Sequence, residues 1–181
     1  MSRIVTLNIE DTPEASRPAL NAMQKKMGRI PNIFRVFANS PAALNGYAGL
    51  SSALASGMLD AKTQDRIALA VAELNGCGYC LSAHTYLGKH VSKLDEAEIM
   101  ANRKGGSNDQ KADAAVKFAV ATVRERGHVS DADLNAVRDA GFNDAEIVEI
   151  VLHVALNTLT NYVNEVAKTD VDFPVVVQPF S

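Results

Sequence analysis

Tryptophan is absent from this 181-residue sequence, aromatic residues make up only 6% of it, and there are just two cysteines. Two cysteines cannot form a disulfide framework. Because they stand three positions apart, a bond between them closes too small a loop to restrict the unfolded chain much. The pair reads as redox or metal chemistry rather than as a structural staple. A dominant charge is also missing. Eighteen basic and 21 acidic side chains give a net charge of -3, spread with mixed sign, and no basic stripe exists to neutralise phosphates or an anionic bilayer. Nucleic-acid and membrane partners are therefore not expected. No apolar run reaches the roughly 20 residues that span a bilayer, and Glu10, Asp11 and Glu14 interrupt the stretch where a signal peptide is apolar. A cytoplasmic protein is the expectation. Sustained apolar/polar alternation is lacking as well, which argues against a half-buried sheet.

What is present is a 47% hydrophobic, strongly helical pattern, which we read as one all-α domain over 1-181 with about seven to eight helices. An extended arm (1-12) precedes a short helix entered after Ser16 and closed by Gly28, and residues 29-41 read as a loop. Ser40 and Pro41 start a helix that runs to Gly57. From Asp60 a buried helix carries Ile67, Val71 and Leu74 on one face and stops at Asn75-Gly76. The next begins at the cysteines, with Cys77 at or just before its N-terminus and Cys80 in its first turn. A short amphipathic helix follows (92-105). Asp109 caps another, Ser130 or Asp131 caps a third, and Asn143 with Glu146 forms a capping box that opens the longest helix. The tail from Thr169 is extended, since Pro174 and Pro179 exclude a helix, and Val175, Val176 and Val177 are expected to dock on a neighbouring subunit.

The chemistry concentrates in Cys77-Gly78-Tyr79-Cys80-Leu81-Ser82-Ala83-His84. Two-residue spacing across a helix start lets the sulfurs bond, the helix N-terminus favours thiolate, and His84 projects from the same face four residues after Cys80. Three readings stay open on the residues alone: a redox dithiol, a metal site drawing a fourth ligand from His90, His128 or His153, and two small buried hydrophobes near a satisfied histidine. Glu73 reads as a solvated acid at a helix C-terminus, because an unpaired buried charge is costly. Asp65 reads as a first-turn acid favoured by the helix dipole. His153, Asn157, Asn161 and Asn164 form a polar stripe on the last helix, suited to a subunit interface or to a cavity wall, with interface as the default. His90 and His128, near segment ends, are expected to be exposed.

The run LDAKTQDRIALAVAELNGCGYCLSAHTYLGK (59-89) resembles the core motif of the AhpD-like alkylhydroperoxidases of the carboxymuconolactone decarboxylase superfamily, an acid ahead of C-x-x-C-x-x-x-H. Residues 146-174 are similar to the C-terminal part of the peroxidase-related branch. The resemblance implies an all-helical subunit that forms a homo-oligomer, with trimer or hexamer favoured. It also implies peroxidase activity without cofactor or metal, in which Cys77 and Cys80 form a disulfide during turnover. The substrate would be a hydroperoxide, and the reductant an external thiol or dithiol, possibly a redox protein. Asp65, twelve positions before Cys77, falls where the family commonly carries a Glu that serves a proton relay, and Tyr79 stands where founding enzymes have a histidine. The expected catalytic set is thus Cys77, Cys80, His84 and Asp65, with Tyr79, Glu73, His153 and Asn157 around it. Cys80, one turn from His84, is expected to supply the attacking thiolate and Cys77 to condense with the resulting sulfenic acid, while the helix-start position of Cys77 leaves the reverse order open. The alternatives are a carboxymuconolactone decarboxylase-like enzyme and a non-enzymatic thiol sensor or metal-binding protein.

Overall fold

The capping side chains determine where most helices begin. In the computed structural model, which describes residues 2-177, Ser40, Asp60, Asp95 and Asp109 each accept the backbone N–H three residues on, and Ser130 and Asn143 form full capping boxes. Each such cap contributes about 1 kcal/mol to its helix. The described residues hold nine α-helices and no strand: α1 (Arg17–Met27), α2 (Asn32–Phe37), α3 (Pro41–Ala55), α4 (Ala61–Leu74), α5 (Gly78–His90), α6 (Glu96–Arg103), α7 (Gln110–Arg124), α8 (Asp131–Asp139) and α9 (Asp144–Ala167). The chain is all-α as expected. The helix beyond the expected eight is α2, inside the stretch expected as a loop. It lacks a side-chain cap, and burial of Ile33, Phe34, Val36 and Phe37 against the core sustains it.

Helix α4 is the centre of the fold, packed by α5, α6, α7 and α9. Ile67, Leu69, Val71 and Ala72 on it are wholly inaccessible, whereas Leu74, at its last turn, is 36% exposed and leaves the buried face. Two apolar clusters flank α4. One gathers Leu20, Phe34, Phe37, Leu69, Leu81 and both cysteines, the other Ile67, Val71, Phe118, Ile150 and Val154.

Arm and tail lie together. The Arg3 amide donates to the Ala167 carbonyl (2.6 Å) and Ser2 pairs with Asp170. The tail then crosses α5 of its own subunit: the Val176 amide donates to Ser82 Oγ (3.1 Å), and Phe173 meets the Tyr79 ring edge-on at 5.9 Å. Val176 thus packs in cis, contrary to the expected docking on a neighbour, while Val175 and Val177 stay exposed. Residues 178-181, with Pro179, lie outside the described residues.

Candidate active site

Chain reversal between α4 and α5 brings the cysteines inward. Gly76 takes a left-handed φ of 65°, accessible to glycine at no cost, and the Cys77 amide returns to the Ala72 carbonyl at 3.0 Å. Cys77 then becomes the N-cap of α5, its Sγ accepting the Cys80 backbone N–H at 3.2 Å. Both thiols are free and buried, Cys77 at 0% and Cys80 at 3% exposure.

Helix α9 supplies what surrounds Cys80. Asn164 Nδ2 donates to Cys80 Sγ at 3.1 Å. Asn161, its amide oxygen held by Asn75 Nδ2 at 2.8 Å, leaves its buried NH2 without a hydrogen-bond partner among the described residues, and its presence near Cys80 lowers the thiol pKa. Thr160 directs its hydroxyl proton to the Asn157 carbonyl (2.9 Å), which leaves the Asn164 carboxamide as the side-chain donor hydrogen-bonded to the sulfur. The hydrogen bond from Cys77 is the largest influence lowering the Cys80 pKa, burial opposes it, and the carboxamides add to it. The same thiol pair pushes Cys77 the other way: its bond to Cys80, burial and the charge on Cys80 all raise it. One anion is shared with one S–H, and the α9 donors localise the anion on Cys80. The polar stripe is therefore a wall of the site and not the subunit interface taken as its default. His153, Asn157, Asn161 and Asn164 are each at most 6% exposed within the single chain.

A cavity of about 170 Å³ has Tyr47, Gln64, Asp65, His84, His153 and Asn157 in its wall, and neither cysteine is among its described lining residues. His84 keeps Nδ1 buried and unpartnered; burial pushes its pKa down, and the charge of Asp65 only partly offsets that. His153 is lowered by burial too, against a smaller opposing effect of Glu149. Both imidazoles are neutral at pH 7. Asp65 accepts the hydroxyl of Ser92, so its short side chain is oriented from α5's end. Among the described residues, the cavity wall holds no lysine or arginine.

Two sequence expectations are corrected here. Glu73 is not solvated: it forms an ion pair with Arg103 at 2.7 Å, both side chains 6% exposed, and this pairing makes its burial tolerable. Tyr79 does not offer its hydroxyl to the cysteines. It donates to Asp172 at 2.7 Å and accepts from the Ile33 amide at 3.3 Å, anchoring the tail. His90 and His128 are exposed. Among the described residues no group of three or more His, Cys, Asp or Glu side chains is placed to hold a metal ion, and no helix is long and apolar enough to cross a membrane. Sequence reasoning overlooked Tyr47, which carries no motif, and the Asn164 contact, whose 84-residue separation no local pattern reveals.

Residues 41-105, which contain α3 to α6 and both cysteines, match the carboxymuconolactone decarboxylase family. The fold agrees over nearly the whole chain with a peroxidase-related protein with an alkylhydroperoxidase AhpD core from Ralstonia eutropha JMP134. That match has a TM-score of 0.84 at 23% identity and covers 94% of this chain and 92% of that one. The chain carries an AhpD-like fold, within which residues 41-105 match the carboxymuconolactone decarboxylase family model. A peroxidase-related protein from Silicibacter sp. TM1040 matches with a TM-score of 0.80 at 23% identity, over 93% and 91% of the two chains. The debrominase Bmp8 matches with a TM-score of 0.78 at 18% identity, with the same coverages. No curated protein matches the sequence. Within this AhpD-like fold the cysteines sit where the central helix, its successor and α9 meet.

Proposed function

We propose that this AhpD-like protein is a thiol-dependent peroxidase that reduces hydroperoxides through a Cys77/Cys80 dithiol-disulfide cycle. The observation that carries the reading is the Asn164 carboxamide on Cys80 Sγ. A buried hydrogen-bond donor aimed at one sulfur of a C-x-x-C pair favours the thiolate that attacks an O–O bond. Cys80 attacks and becomes a sulfenic acid; the Cys77 thiol condenses with it, releasing water and forming the disulfide; an external thiol or dithiol restores the pair. His84, neutral and one turn after Cys80, is the acceptor for the thiol proton, with the Asp65 carboxylate favouring the imidazolium that results. The subunit self-associates through the outer face of α9.

Peroxide consumption with dithiothreitol as donor tests this. Turnover disappears in both Cys77→Ser and Cys80→Ser proteins, and undiminished turnover in either sinks the cycle. A dithiol can deliver two electrons to other acceptors, and the fold is shared with a debrominase. The assay therefore includes 2,3,4-tribromopyrrole, the compound bound in a solved complex of Bmp8. Faster oxidation of the cysteines by that compound than by peroxides would favour dehalogenation.

A further inference from the structure

Two buried polar atoms on α9 have no part in the cycle as described. Asn164 donates through Nδ2 to Cys80 Sγ at 3.1 Å, and its Oδ1 is buried without a hydrogen-bond partner among the described residues. Asn161, three residues earlier on the same face, has its Oδ1 held by Asn75 Nδ2 at 2.8 Å, and its own Nδ2 is likewise buried and unpartnered. Asn161 is 0% exposed and Asn164 2%. Protein interiors pair nearly all such groups, because a buried donor or acceptor left unpaired carries its full desolvation cost. Neither carboxamide can turn over to relieve this without losing the bond it already makes. An orphan acceptor and an orphan donor on one helix face match a hydroxyl, which gives one hydrogen bond and accepts another.

A hydroxyl is what the first step of the cycle builds on that sulfur. The Cys80 thiolate takes the terminal OH of a hydroperoxide ROOH: the S–O bond forms, the O–O bond breaks with its electron pair on RO⁻, and the proton held by His84 converts RO⁻ to ROH. Sulfur is oxidised by two electrons and the peroxide is reduced by two. Resting on the peroxidase reading, we infer that Asn161 and Asn164 are catalytic residues that hold the Cys80 sulfenic acid, its oxygen accepting from Asn161 Nδ2 and its O–H donating to Asn164 Oδ1. Both groups left unpaired in the thiolate state are then satisfied in the intermediate, so the interior favours the oxidised sulfur over the resting one.

The two contacts act on different reactions of that intermediate. An acceptor on the O–H favours the neutral acid over the sulfenate anion. The anion is the stronger nucleophile toward a second peroxide, whose attack gives the irreversible sulfinic acid, so Asn164 protects the cycle from that loss. In the condensation, the Cys77 sulfur supplies the electron pair of the S–S bond, the S–O pair leaves on oxygen, and the Cys77 proton joins that oxygen to give water. The Asn161 N–H donates to the oxygen on which negative charge develops as the S–O bond breaks.

Cys77→Ser protein isolates the intermediate, and serine remains a good N-cap for α5. After an equimolar amount of tert-butyl hydroperoxide, dimedone trapping with mass spectrometry counts the sulfenic acid, and excess peroxide then gives the rate of sulfinic acid formation. Adding Asn164→Leu should raise that rate about tenfold. In the protein with both cysteines, Asn161→Leu should slow the conversion of sulfenic acid to disulfide, followed by rapid quench, by about tenfold. Both rates start from sulfenic acid already formed, so a weaker thiolate in either variant does not enter them, and unchanged rates overturn the inference. A crystal structure of oxidised Cys77→Ser protein requires no change on α9. The sulfenic oxygen should lie within hydrogen-bond distance of Asn161 Nδ2 and Asn164 Oδ1; an oxygen turned elsewhere, or a water bridging the two carboxamides in reduced and oxidised protein alike, overturns the inference as well. A Cys77→Ser protein whose Cys80 reacts with a disulfide reagent yet forms no sulfenic acid with peroxide removes the peroxidase reading itself, and this inference with it.

Discussion

A neutral carboxamide stabilises a thiolate without titrating, so the acidity of Cys80 should depend on Asn164 and not on a charge elsewhere. Deleting that donor with Asn164→Ala leaves the sulfur buried at 3% exposure with less to offset its charge. A hydrogen bond to a charged group contributes about 1.5–3 kcal/mol, equivalent to about one to two pH units at about 1.4 kcal/mol each. The sign follows from which form is stabilised. The lost donor favoured the anion, so the Cys80 pKa rises, and the thiolate fraction at neutral pH falls. The pH midpoint of iodoacetamide alkylation, measured in the Cys77→Ser background to keep one thiol, should move upward by that amount; an unmoved midpoint would show that Asn164 does not hold the thiolate. The sequence disclosed the Cys and His positions because they share a few residues of one helix. It also disclosed the asparagine stripe of α9 as a stripe, yet not its destination, because 3.6-residue periodicity defines a face and not what the face packs against. Tyr47 gave no signal at all, and the Glu73–Arg103 pair joins residues 30 positions apart, beyond any helical spacing.

At the scale of elements, the site depends on α4 being fixed to α6, and Glu98 is the clamp. Its carboxylate takes Arg66 of α4 at 2.6 Å, Asn102 of its own helix at 3.0 Å, and Ser107 and the Asn108 amide of the following loop. Burial resists the charge, but those hydrogen bonds and the Arg66 guanidinium outweigh it and bring Glu98 from 4.5 to about 2. A depressed carboxylate pKa adds stability that is fully present above the unfolded value, 4.5, and is lost as pH falls through about 2. Glu98→Ala should therefore cost about 3 kcal/mol near neutral pH, measured by urea unfolding, with the gap to the parent narrowing below pH 4.5 as the parent's own carboxylate is protonated. A gap that stays constant down to pH 2 would mean the cost comes from packing and not from the carboxylate. Helix starts were legible at this scale since their caps are local: Ser40, Asp60, Asp109, Ser130 and Asn143 accept from the third residue on. Helix α2 was not, because six residues with no side-chain cap owe their helicity to burial of Phe34 and Phe37 in the finished core.

For the whole molecule, the inner face of α9 is used up by Cys80 and the cavity, and the outer face is left apolar. Val148, Leu152, Leu159, Tyr162 and Val166 are 59%, 39%, 41%, 60% and 65% exposed, and the stripe runs along the helix without a charged residue among them. At about 1.5 Å per residue it extends about 27 Å, and beside it lies an apolar groove of about 700 Å³ lined by Val151, Val154, Leu159, Tyr162 and Val166 together with Ile4. An uncharged stripe of that length is best covered by a surface of the same character, and a second copy of the chain presents an identical one in a two-fold pairing. The apolar character of α9 was visible in the sequence, whereas its division into a site face and an outer face required knowing that α4 and α5 occupy one side. We expect multi-angle light scattering to give an oligomer for the parent protein and a smaller species for the Tyr162→Asp, Val166→Asp double variant. Because the inner residues Asn161 and Asn164 are untouched, that variant should keep the alkylation midpoint of Cys80. A parent that is monomeric at every concentration tested would leave the stripe without a second copy and refute the pairing.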